Sequence, residues 1–279
     1  PGIALISNKF LRAGIILLGF KLNLVVLAQA GVKTIALACV VVTGTIFLAY
    51  NLARRFGVDR HLAILTASGT GICGAAAVMG IASQLPTSEK EAERHGEDKV
   101  VAVAIVAILG TLFTLVDIAV GPLLGMSATQ FGVMAGGSLH EIAHAVAAGG
   151  AGGSESLDIA IITKLSRVLL LAPAAIVIGV WYRKAEGVEA DGKGKVPIPW
   201  FMVGFVAASV IGTFAPLTQE MLDGLVKVSY LLLGMAMAAL GMTVNFRVLL
   251  TRGRNAFVAA LITSVVLLAF VAGMALLFF

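Results

Sequence analysis

Nine blocks of apolar residues, each roughly 20 long, divide this chain, near positions 10–29, 34–55, 61–84, 99–121, 130–148, 156–182, 198–215, 221–246 and 255–279. That length is what an α-helix needs to cross a hydrocarbon core of about 30 Å. A transmembrane β-barrel would instead alternate apolar and polar residues in segments of about 10, and no such alternation is present. The chain is 59% hydrophobic and 13% charged, with a mean hydropathy of +1.02, whereas a soluble domain carries about 25% charged residues. No water-soluble fold hides that much apolar surface. The pattern predicts an all-α polytopic membrane protein with about nine transmembrane helices, residues 1–279 forming a single transmembrane domain in a lipid bilayer.

A net charge of +5 does not point to nucleic acid, because the Lys and Arg residues sit in short connections between apolar blocks and read as topology signals. With nine crossings, twelve of them collect on the N-terminal side, from Lys9 and Arg12 through Arg252 and Arg254, and six on the other. If the Gly-rich fifth block dips in and returns, the bias inverts. The nine-crossing reading places the Lys184–Lys195 loop and Arg252 in the cytoplasm. Cys39 and Cys73 lie inside apolar runs, which excludes a disulfide framework. No G-x-x-x-x-G-K-[ST] phosphate loop is present, so ATP-driven pumping by this chain alone is not expected. The chain starts at Pro1 without a signal-peptide pattern, and the natural N-terminus is expected further upstream.

Residues 17–31 (LLGFKLNLVVLAQAG) and 239–253 (ALGMTVNFRVLLTRG) agree at six of fifteen positions, including Gly19/Gly241, Asn23/Asn245 and Gly31/Gly253. Seven crossings apart, such segments run antiparallel, the inverted repeat of many secondary transporters. Small and polar residues interrupt three blocks. Ser68-Gly69-Thr70-Gly71-Ile72-Cys73-Gly74 predicts a real break in the third, because an unwound turn at membrane depth is tolerated only where it lines a cavity or is buried in protein. Gly136-Gly137-Ser138-Leu139-His140-Glu141 interrupts the fifth. Gly234 and Gly241 in the eighth read as close helix packing. A broken helix exposes a half-helix N terminus, whose free N–H groups and positive dipole end suit an anion.

His140-Glu141-Ile142-Ala143-His144 matches H-E-x-x-H, in which two His on one helical face bind zinc and Glu activates water, and Asp223 could mimic a distal ligand. A five-residue pattern with three fixed positions arises readily by chance, so a polar cluster lining a cavity is the preferred reading, with no metal. Lys164 and Arg167 share one face of the sixth block. They either snorkel to the interface or act inside the membrane, where an ionisable group is by default a functional candidate. Asp117, near Gly121-Pro122, reads as an end-of-helix residue. Asn23 and Asn245, from the repeat, could hydrogen-bond between helices or line a path.

The runs Gly69–Gly80 (GTGICGAAAVMG), Ser138–Gly149 (SLHEIAHAVAAG), Lys164–Pro173 (KLSRVLLLAP) and Ile198–Phe205 (IPWFMVGF), with Leu11–Leu22 and Leu240–Asn245, together resemble the YeiH-like family of bacterial inner-membrane proteins, often labelled sulfate exporters. The resemblance covers nearly the whole chain. It implies about two further helices upstream of Phe10, and many members have Gln where this chain has His144, so H-E-x-x-H is not a family feature. The expected function is a secondary transporter of a small, sulfate-like anion, working by alternating access in a bacterial inner membrane. Ser68, Thr70 and Cys73 would line its site, Lys164 and Arg167 would supply positive charge, and Glu141 with His140 would take up a proton or position the substrate. Asn23, Asn245 and His144 are secondary candidates. The alternatives are an intramembrane zinc metalloprotease using His140, His144 and Glu141, or a channel. No cofactor is implied, and a homodimer is compatible with the sequence.

Overall fold

In an apolar block the backbone N–H and C=O groups have only each other to bond, and the helix is the structure that pairs them within one segment. The computed structural model describes residues 9–25, 31–87, 91–186, 200–243 and 251–279, and these form helices with no strand among them. In chain order they are α1 (Leu11–Leu18), α2 (Gly31–Arg55), α3 (Arg60–Gly71), α4 (Ala75–Ala82), α5 (Ala92–Leu123) and α6 (Ala128–Ser138). There follow α7 (Ile142–Ala151), α8 (Ser154–Leu169), α9 (Leu171–Ala185), α10 (Trp200–Phe214), α11 (Gln219–Thr243) and α12 (Arg254–Phe278). Among the described residues, α2, α5, the α8–α9 run and α12 are long and apolar enough to cross a membrane, and α7 and α10 are shorter apolar helices.

The sequence reading treats residues 1–279 as one domain; the contacts group them into two compact units. One comprises residues 1–31, 79–92 and 171–244, the other 32–78, 93–170 and 245–279. In the first, α1, α10 and α11 meet through glycine. A methyl group on Gly14 would sit 2.8 Å from Leu233, and one on Gly204 would sit 2.9 Å from Ile16. The Ser229 hydroxyl donates to the Gly14 carbonyl at 2.7 Å. The first apolar block is not the single helix expected over 10–29. After α1 a 3-10 turn spans Gly19–Lys21, and Leu22 is extended. The chain then restarts with the Asn23 carboxamide accepting from the Val25 N–H at 2.9 Å, while the Leu24 N–H donates to Thr213. One contact of Asn23 is thus with the backbone of its own segment; Asn245 lies outside the described residues. The two repeat segments lead into helices of equal length, α2 and α12, each of 25 residues.

Both helix breaks lie in the second unit. The third block breaks between α3 and α4, where Ile72 leaves helical geometry and Gly74 adopts φ +69°. The fifth breaks between α6 and α7, where Leu139 and Glu141 are extended. The eighth block, by contrast, is continuous helix, α11, over its described residues. Helix α8 lies directly against the second break because its neighbours are glycines. A methyl on Gly132 would meet the Ser156 carbonyl at 2.6 Å, one on Gly149 the Ala160 side chain at 2.7 Å, and one on Gly136 would collide with the Ala160 carbonyl. Backbone-to-backbone contact of this kind gives packing and small-residue interfaces their weight inside membranes.

Candidate functional site

Breaking a helix strands carbonyls at one new end and amides at the other. In this protein both sets converge in the second unit. The carbonyl ends of α3 and α6 meet at two cations presented one turn apart on α8. Arg167 Nη2 donates to the Thr70 and Gly71 carbonyls at 3.2 and 2.6 Å. Its Nη1 donates to the Gly137 and Leu139 carbonyls at 2.6 and 3.2 Å. Lys164 Nζ donates to the Ile72 carbonyl at 3.1 Å and also to the Leu139 carbonyl. Both side chains are 0% exposed, so neither snorkels. Each helix C terminus carries about half a negative charge, and the two cations neutralise both ends while supplying their missing donors.

One amide end meets the opposite charge. A Glu141 carboxylate oxygen accepts from the Ala75 N–H at the start of α4, at 3.3 Å, the long end of the N–H···O range. Glu141 is itself the residue preceding α7. Gly74 is required here twice over, by its φ of +69° and because any Cβ would collide with the Glu141 side chain. The two half-helix pairs thus form a crossing in which cations sit on carbonyl ends and a carboxylate sits on an amide end.

Helix α5 supplies a polar stripe beside this crossing, from Gly110, Thr111, Thr114 and Asp117, spaced i, i+1, i+4, i+7. Gly110 makes room for the His144 imidazole, whose Nε2 is 3.4 Å from the Thr111 hydroxyl. Asp117 is no end-of-helix residue. It is 0% exposed, accepts from the Ser138 hydroxyl at 2.7 Å, and belongs to the site although its apolar context hid it in the sequence. The stripe spacing within block 99–121 is the signal that could have found it. Ser264, on α12, is also new: its hydroxyl lies 2.9 Å from His140 Nε2. Among the described buried atoms, Asp117 Oδ1, His140 Nδ1, His144 Nδ1 and Arg167 Nε have no hydrogen-bond partner.

Of the other expected residues, Ser68 and Thr70 are buried but turn their hydroxyls back onto α3, to the Ile64 and Thr66 carbonyls. Thr70 contributes to the crossing through its carbonyl. Cys73 lies within the first break and is buried. The H-E-x-x-H residues do not share a helical face as expected: His140 lies in the break, ahead of the α7 N-cap Glu141. The His140 ring meets Ser264 and lies 6.1 Å from Phe113 on α5, and the His144 ring meets Thr111 on α5. No group of three or more metal-ligating side chains occurs among the described residues.

A second charged cluster occupies the far end of α3. Asp59 caps α3 by accepting from the His61 and Leu62 N–H groups and pairs with Arg94 at 3.1 Å. The His61 ring is 3.0 Å from Asp98 and stacks on His95, with centroids 3.7 Å apart. Arg252 bridges Glu97 at 2.7 Å and Asp98 at 2.9 Å. Burial works to raise the Asp59 carboxyl, but the Leu62 and His61 amides and the Arg94 guanidinium outweigh it and hold it below the usual carboxylate range.

No solved structure matches the chain. A protein of Lactobacillus johnsonii called a UPF0324 membrane protein is 55% identical over 100% of this chain and 82% of its own length. One of Bifidobacterium longum with the same designation is 55% identical, covering 99% of this chain and 77% of the relative. One from Bacillus cereus is 48% identical, covering 94% and 75%. Residues 1–260 match the family described as conserved hypothetical protein 698. With its long apolar helices, the chain is therefore a multi-pass membrane protein and belongs to that conserved hypothetical protein 698 family, the YeiH-like family its motifs resemble.

Proposed function

We propose that this protein is a secondary transporter that moves a small, sulfate-like anion by alternating access across a bacterial inner membrane, with the crossing of the two broken helices as its translocation site. The observation that carries this reading is the Ala75 amide, at a half-helix N terminus between two broken helices, already holding a carboxylate oxygen. A helix N terminus in a low-dielectric setting favours an anion, and transporters of this general kind aim such termini at anionic substrate groups. Glu141 is then a tethered occupant that the substrate displaces. The long hydrogen bond suits an occupant that must leave, and the unpartnered Arg167 Nε and His140 Nδ1 supply further polar contacts to an arriving oxyanion.

The test is counterflow of radiolabelled sulfate, and of a panel of other small oxyanions, into proteoliposomes holding the full chain. One of them should be taken up saturably. Glu141→Gln keeps the shape of the occupant but removes its charge, and charge-assisted hydrogen bonds are roughly twice as strong as neutral ones. It should therefore lower the apparent KM by roughly three- to tenfold. If no anion of the panel enters faster than into empty vesicles, the transporter reading fails.

A further inference from the structure

The partners of Lys164 and Arg167 are unusual for buried cations: all of them are main-chain carbonyls. Five oxygens, from Thr70, Gly71, Ile72, Gly137 and Leu139, converge on two side chains from one turn of α8. Unwound carbonyls and half-helix C termini are the ligands with which broken-helix carriers coordinate a coupling cation such as Na⁺, and hard oxygens are what such a cation takes. A cation is thus required at this position, and here the chain supplies it covalently. The glycine contacts of α6 and α7 bring the first half of α8 against them, backbone to backbone.

We propose that Lys164 and Arg167 are tethered replacements for a coupling cation: they fill the carbonyl-lined position between the ends of α3 and α6, so that this protein works without Na⁺. This rests on the carrier reading for its meaning in transport, but not for its chemistry. The other charged or titratable groups around the position are Glu141, His140, His144, Cys73 and Asp117. Of these, Asp117 has a free carboxylate oxygen and is where a mobile cation would bind if the proposal were wrong.

The experiment compares thermal unfolding of the full chain in detergent, in NaCl and in choline chloride of equal ionic strength. A ligand that binds only the folded state raises its stability in proportion to the logarithm of occupancy. Wild-type protein should melt at the same temperature in both salts. Lys164→Ala should melt lower in choline and regain several degrees in Na⁺ or in methylammonium, because the freed carbonyls then accept a diffusible cation. Wild-type protein stabilised by Na⁺, with the effect lost in Asp117→Asn, overturns the proposal. So does a folded Lys164→Ala protein indifferent to both cations. The wild-type arm needs no variant to fold, and Lys164→Gln, which keeps a donor for Leu139, replaces the alanine variant if that cannot be purified. Sulfate counterflow separates the two claims. Flux that persists when choline replaces Na⁺ supports the tethered cation, flux that requires Na⁺ overturns it, and absence of flux counts against sulfate as substrate while leaving the melting results in force.

Discussion

The second unit carries two charged clusters, and they solve opposite problems. At the crossing, Lys164, Arg167 and Glu141 answer partial charges of the backbone, in a place sealed from solvent. At the far end of α3, Asp59, Arg94, Glu97, Asp98 and Arg252 answer one another, with Arg252 and Glu97 side chains 34% and 45% exposed. A charge that can still reach water loses little when its partner goes. A charge locked among carbonyls takes its whole desolvation cost with it. The outer side chains that reach water, Arg94, Glu97 and Arg252, are therefore exchangeable parts, whereas buried Asp98 and the charges at the crossing belong to the skeleton.

The largest effect expected from this contrast is that of Arg167→Met. It removes the donor of four carbonyls at two helix ends and should cost about 3–5 kcal/mol, the range for breaking a buried charged network from one side, read by chemical unfolding in detergent. A cost below about 1 kcal/mol, the level of an exposed pair, would erase the distinction between the clusters.

Gly74→Ala comes next, at about 1–3 kcal/mol for backbone strain of this kind. Because the new methyl would collide with Glu141, part of that cost should vanish in a Glu141→Ala background. A double-mutant cycle showing simple additivity would mean the glycine serves the backbone turn alone.

For Asp59, the substitution to Asn keeps the α3 cap, since the two are nearly equivalent there, and removes the charge. The folded carboxyl is held below its ordinary value. Its ionic contribution is thus fully present above the unfolded value of about 4 and is lost as pH falls through the lower folded one. The stability difference between wild type and Asp59→Asn should be flat from neutral pH down to that region and then close. A difference that grows on acidification reverses the sign and the assignment.

The smallest effect belongs to Arg94→Ala. Its exposed pair with Asp59, side chains 53% and 30% exposed, should be worth no more than about 1 kcal/mol, and the loss should shrink when ionic strength is raised. A salt-independent loss would show that Arg94 is held as tightly as the charges at the crossing.

The break in the third block was legible in the sequence because its glycines flank polar residues, and the structure has it at Ile72–Gly74, with a second at Leu139–Glu141 in the fifth block, whose small and polar run was noted as an interruption. The pairing of Lys164 with Arg167 on one face was legible too, from their spacing alone. What they touch was not, since carbonyl oxygens are common to every residue and leave no mark in composition. That is why these cations were assigned to a substrate rather than to helix ends. Asp117 was misread for a related reason. Gly121-Pro122 looked like a helix terminus, but proline in the last turn of α5 leaves Asp117 well inside it. His140 and His144 failed as a one-turn pair because regular spacing in the sequence implies a shared face only where the helix is unbroken.

The order of the groups along the chain also bears on how the protein is made. Synthesis runs from the N terminus, and the carbonyl ends at residues 70–72 and 137–139 precede Lys164 and Arg167. Each cation would cost about 2.5–3.5 kcal/mol at the centre of a lipid-facing helix. By the time α8 leaves the ribosome, however, both of its acceptors have already been synthesised. The nascent helix can therefore be inserted against a waiting partner, and its two charges need never be presented to lipid alone.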